Sequence, residues 1–107
     1  MQPETAQLQE LRRLWDQHSH APFPAADTSD PRLQELALYE SWVGGVVEAA
    51  LGRGGRLTRV HALMLEVRER EGNQSLWGAA AEFGEPVRSY VARLLAIQEV
   101  LTTLPVD

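Results

Sequence analysis

The 107-residue chain has no cysteine. That excludes a disulfide framework, a thiolate metal site and a cysteine nucleophile. Lysine is missing too, since all ten basic residues are arginine. A phosphate-binding loop of the G-x-x-x-x-G-K type is therefore out. Positive charge is scarce: Lys+Arg 10 against Asp+Glu 15 gives a formal net charge of -5, which argues against an extended phosphate-binding surface. No uncharged apolar run approaches the ~20 residues that span a bilayer, so no membrane contact is expected. The first residues, Met1-Gln2-Pro3-Glu4-Thr5-Ala6-Gln7, lack the basic start and apolar stretch of a secretory signal, and the expected compartment is the cytoplasm. Few segments alternate apolar and polar residues over strand length, so essentially no sheet is expected.

What is present is globular in composition, with 44% hydrophobic and 23% charged residues. The length suits one helical domain over residues 1–107. Pro3 fits a first helical turn, and Leu8, Leu11, Leu14 and Trp15 recur at helical spacing up to about His18. A loop over 19–30 follows, held open by Pro22 and Pro24. Asp30 before Pro31 reads as a cap and first helical residue, opening a helix to about Leu51 that stops at Gly52-Arg53-Gly54-Gly55. Thr58 caps a third helix ending at Gly72, and Ser75 caps a short segment from Leu76 to Phe83. Gly84-Glu85-Pro86 breaks or kinks the chain before a last helix to about Thr103, with a short tail over 105–107. The expected fold is all-α, a compact bundle of four to five helices kinked or broken near Pro86. Its expected core includes Leu11, Trp15, Leu36, Val43, Val47, Val60, Met64, Val67, Leu94 and Leu101.

The second helix stands out. At about 100° per residue, Leu33, Leu36, Val43, Val47, Ala50 and Leu51 form one apolar stripe, and Leu38, Trp42, Gly45 and Ala49 form another. A helix apolar on two sides must cover both. It is either the central helix of the bundle, or one stripe meets another chain, most simply a second copy. Gly44-Gly45 in mid-helix fits both readings: two glycines cost roughly 1.5–2 kcal/mol against alanine and are tolerated where another group comes close or the helix bends. Trp42 is the kind of large residue that anchors interfaces.

Several polar residues fall inside or beside apolar arcs. Glu40 lies in the core stripe of the second helix, His61 and Arg68 at the edge of the third helix's arc, His18 in the first helix's arc and Gln98 in the last. Glu40, His61, Arg68 and Gln98 are thus candidate buried polar groups. Glu40 with Arg68, His61 or His18 would form a small-ligand or acid/base site, or a structural ion pair that sets helix register.

Other patterns carry less. His18-Ser19-His20 has metal-ligating side chains, with Asp16, Asp27 and Asp30 nearby, but two loop histidines are too few ligands for a zinc site, and no metal or cofactor is expected. Gly52-Arg53-Gly54-Gly55 offers backbone N–H groups that an anion would accept. No G-x-S-x-G or H-E-x-x-H occurs. Residues 76–93 have the outline of a helix-turn-helix, with Arg88, Ser89 and Arg93 as the candidate DNA-facing residues. Glu85 in the turn and the acidic balance weigh against nucleic acid.

Phe23-Pro24, Trp42-Val43-Gly44-Gly45-Val46, Gly55-Arg56-Leu57 and Tyr90 together resemble small helical proteins of GC-rich bacteria. The resemblance covers most of residues 20–101 and implies only a small helical fold. The expected function is a non-enzymatic protein–protein interaction module that forms a homodimer through Leu38, Trp42, Gly45 and Ala49. DNA binding through 76–93 and a ligand site around Glu40 are the alternatives.

Overall fold

The computed structural model describes residues 5–24 and 29–107, apart from the side chains of Gln74, Ser75 and Ala79. Among the described residues there are five helices and no strand: α1 (Ala6–Ser19), α2 (Pro31–Gly52), α3 (Arg59–Glu71), α4 (Gln74–Phe83) and α5 (Glu85–Leu101). The all-α expectation is met.

Local chemistry sets most of the boundaries. Thr5 opens α1 by accepting the Leu8 N–H at 3.2 Å, while Pro3 lies outside the described residues. Asp30 opens α2 by accepting the Arg32 N–H at 2.9 Å, with Pro31 in the first turn. The Arg32 guanidinium and its N–H hold the Asp30 carboxyl down to about 2. Thr58 opens α3 by accepting the His61 N–H at 3.1 Å, and Gly72 ends it at φ 75°, a conformation that suits glycine. The expected cap at Ser75 is displaced: α4 begins at Gln74, after Asn73. Gly84, at φ 89°, is the whole connection between α4 and α5. The chain is therefore broken before Pro86, which takes a first-turn place where its missing N–H costs nothing.

α5 is the hub. It buries Val87, Tyr90, Val91, Leu94, Ile97 and Leu101 against the inner faces of α1, α2 and α4. Leu8 and Leu11 from α1, Leu33, Leu36, Tyr39, Val43, Val46, Val47 and Ala50 from α2, Leu65 from α3, Leu76 and Ala80 from α4, and Leu57 and Leu104 outside the helices complete the core. Full burial of such side chains contributes roughly 1.5–3 kcal/mol each before ordering entropy is subtracted. The Cα extents of 46 × 28 × 17 Å leave room for two layers of helices, whose axes sit about 8–10 Å apart, and not for a third.

Two features depart from expectation. Residues 105–107 are a fastened segment as well as a tail. Leu57 donates its N–H to the Pro105 carbonyl at 2.8 Å and accepts from the Asp107 N–H at 3.0 Å, a single parallel bridge between Leu57 and Val106. Arg53 and Arg56 both pair with the Asp107 carboxylate. The larger correction concerns α3. Of its residues only Leu65 is buried; the expected core members Val60, Met64 and Val67 are 66%, 40% and 37% exposed, and Trp15 is only half-buried. α3 is apolar on more than one side, so periodicity alone does not choose the inward side. The Leu57 bridge to Val106 lies just before the helix, and Leu65 is the residue that is turned inward.

Candidate functional site

The turned-out face of α3 shares a groove with Trp42 of the second stripe of α2. Leu63 is 60% exposed and Leu38 on α2 is 72% exposed. Between the two helices runs an open groove of about 510 Å³, walled by Trp42 from α2, by Leu63, Met64, Val67 and Arg68 from α3, and by Asn73 at the following turn. The Arg68 guanidinium lies over the Tyr39 ring at 4.5 Å and the Trp42 ring at 5.1 Å. Those two rings are themselves stacked at 6.1 Å. Each such cation–π contact contributes about 0.5–2 kcal/mol according to its exposure. Arg68 thus fastens the outer helix to the aromatic pair of α2.

A second fastening lies beneath. The buried Tyr39 hydroxyl donates to Gln98 Oε1, and Gln98 Nε2 donates to Glu69 Oε1 at 2.9 Å. One amide therefore joins α2, α5 and α3. Burial pushes the Tyr39 hydroxyl up to about 12, with Arg68 acting the other way and Glu69 adding to the rise. Against this, two polar atoms of the groove residues are shielded from water and have no partner among the described residues: Trp42 Nε1, a donor, and Asn73 Oδ1, an acceptor. Buried polar atoms without partners are rare and costly, at about 1–3 kcal/mol each.

The four residues expected at an interface divide. Leu38 and Gly45 are exposed, while Trp42 and Ala49 are half-buried. The α3 residues beside them escape a reading of the sequence, because their periodicity fits a core stripe equally well. Of the expected buried polar groups only Gln98 is fully buried; Glu40, His61 and Arg68 are partly covered. Glu40 lies within the core stripe, yet a long side chain can carry its charged end outward past the apolar surface, as the Arg68 side chain does from the edge of its arc.

Glu40 and Arg68 are not brought together. Glu40 lies 3.8 Å from Nε2 of His18, which is 2% exposed. His18 packs against the rings of Trp15 at 5.7 Å and Tyr90 at 4.7 Å, and Phe23 meets the Tyr90 ring edge-on at 5.4 Å. Arg93 completes the cluster, 5.7 Å over the Tyr90 ring. Burial, helped by the Arg93 charge, holds the His18 imidazole below its ordinary value. Burial, helped by the Glu40 charge, pushes the Tyr90 hydroxyl up to about 12. This is an aromatic plug between α1 and α5, with His18 closed off from solvent.

The remaining candidates are engaged locally. Arg88 pairs with Glu85 at 3.4 Å and the Ser89 hydroxyl donates to Glu85 at 3.0 Å, so both are engaged by a neighbouring carboxylate. The N–H groups of Arg53, Gly54 and Gly55 all return to carbonyls of α2, leaving none for an anion. His18 and His20 part company: His18 is buried, while His20 is exposed and bonds through Nδ1 to the Asp16 carbonyl at 2.7 Å. Asp27 lies outside the described residues. Among the described residues no cluster of metal-ligating side chains forms, and no helix is long and apolar enough to cross a membrane.

No protein-family model, curated protein or solved structure matches the chain.

Proposed function

We propose that the protein is a cytoplasmic, non-catalytic interaction module that docks a second copy of itself on the α2–α3 face. The observation that supports this reading is the apolar surface of Leu63, Met64 and Val67 around the Trp42 groove, with Val60 and Leu38 beyond it. These five aliphatic residues are between 37% and 72% exposed, whereas no large apolar residue of α1 or α5 is exposed. Exposed apolar surface rimmed by charge is characteristic of interaction sites. A second copy is the favoured occupant because the exposed side of α3 carries opposite charges at its two ends, Arg59 and Glu71, and so complements itself when reversed.

The test is absolute mass by light scattering behind size exclusion over a dilution series, for the wild type and for Leu63→Glu. The wild type is expected to dimerise and the variant to be a monomer with unchanged helical circular dichroism. Leu63 is the better probe than Trp42, whose ring also holds Arg68. A wild type that stays monomeric up to high micromolar concentration overturns the reading.

A further inference from the structure

We infer that two copies pack α3 against α3 end for end, with Leu63 of each beside Val67 of the other and Arg59 of each paired with Glu71 of the other. This rests on the docking reading above and gives it a geometry. It begins from spacing. Arg59, Leu63, Val67 and Glu71 follow one another at intervals of four, so they form a single oblique ridge on the helix, about 18 Å long at 1.5 Å per residue. All four are exposed. Along the helix the ridge runs positive, apolar, apolar, negative.

That order is self-complementary under reversal. A copy turned end for end about the level of Leu65 sets positive against negative at both ends and apolar against apolar twice in between. Ridges of this i+4 type interdigitate when two helices cross at about 50°, the commonest helix-packing class in globular proteins. The opposed helix dipoles favour the same orientation. A parallel pair would instead set Arg59 against Arg59 and Glu71 against Glu71.

The end charges are available for this. Neither Arg59 nor Glu71 has an ion-pair or hydrogen-bond partner among the described residues, whereas their neighbours are taken: Arg70 by Glu66 at 3.3 Å and Arg56 by Asp107 at 2.7 Å. Leu63, Val67 and Glu71 also wall the groove against Trp42. A second α3 lying along the ridge therefore covers the groove mouth as well.

The experiment is the dimer dissociation constant by sedimentation equilibrium at low salt for the wild type, Arg59→Glu, Glu71→Arg, an equimolar mixture of these two variants, and the double variant. Each single variant places like charges at both ends of its homodimer and is expected to dimerise about tenfold more weakly. In the mixture, a heterodimer of the two variants sets opposite charges against each other at both ends again. It should recover the wild-type constant, as should the double variant. The single-variant losses should shrink as salt is raised. A dimer that is broken by Leu63→Glu yet indifferent to every charge swap overturns this geometry and leaves the docking reading standing. A wild type that never dimerises overturns both.

Discussion

The indole of Trp15 lies where Gly44 would carry a side chain: a Cβ at Gly44 would stand 2.9 Å from Trp15 Cη2 and 3.2 Å from Cζ2. α1 meets α2 at this point, and the glycine is what admits the ring. Gly45, one residue on, has open space around its would-be Cβ and faces solvent. The two neighbours should therefore respond to alanine in opposite directions. Gly45→Ala should gain about 0.5–1 kcal/mol from helix propensity alone. Gly44→Ala gains the same but forces the Trp15 ring to shift, and overpacking of this kind costs about 1–3 kcal/mol, so it should be net destabilising. Urea denaturation of the two variants checks this, and equal effects would show that Trp15 yields freely.

Acid should loosen the junction of α1 and α5. The folded chain holds the His18 pKa below its unfolded value, first by burial and then by the Arg93 charge. The native state thus prefers the neutral imidazole. His18 contributes its full stability above the unfolded pKa of about 6.5, and loses it as pH falls below that toward the folded pKa. The unfolding free energy should fall between pH 7 and pH 5, by at most about 1.4 kcal/mol per pH unit from this one group, and the melting temperature should fall with it. Glu40, 3.8 Å away, is the partner that an incoming proton on His18 would find, so the slope should steepen in Glu40→Gln. His18→Gln should flatten the profile, whatever its own cost in stability. The Asp30 carboxyl, held at about 2, loses its contribution only at much lower pH and does not overlap this window.

The Tyr39–Gln98 pair should behave as a buried hydrogen bond with a costly half-state. Both side chains are almost fully buried, and the Tyr39 hydroxyl donates to Gln98 Oε1. Gln98→Leu leaves the hydroxyl without a partner and should cost about 1–3 kcal/mol. Adding Tyr39→Phe removes the stranded donor and should restore part of that loss, giving a favourable coupling in a double-mutant cycle. Glu69 loses its partner in both variants containing Gln98→Leu, so that effect cancels in the coupling. Ultraviolet titration of the wild type should find both tyrosines ionising near pH 12. Gln98→Leu should leave the Tyr39 value high, because burial is its main cause; a return to the ordinary tyrosine range would show that the bond to Gln98 sets it instead.

Much of the framework can be read in order along the chain. Thr58, Asp30-Pro31, Gly72 and Gly84 act within a few residues of themselves, through caps, a fixed φ or a positive φ. Their effect survives whatever packs around them. The inner stripe of α2 is legible for a similar reason: Leu33, Leu36, Val43, Val47 and Ala50 repeat with the helix period on one side, and all are buried. Tyr39 and Val46, buried off that stripe, are not, since a helix enclosed on more than one side shows no single periodic face.

The residue pattern alone thus yields four to five helical segments, most of their breaks, and more apolar helix surface than one stripe per helix can use. Which part of that surplus stays outside is a matter of tertiary packing. Val60, Leu63, Met64 and Val67 have the spacing of a core stripe, yet Leu65 on the other side is the residue that goes in. The choice is made by long-range contacts that the pattern does not contain: Leu57 paired with the C-terminal segment, Arg68 laid on Tyr39 and Trp42, and Glu69 held by Gln98. Hydrophobic spacing says that a face must be covered; the rotation of α3 decides that its own chain does not cover this one.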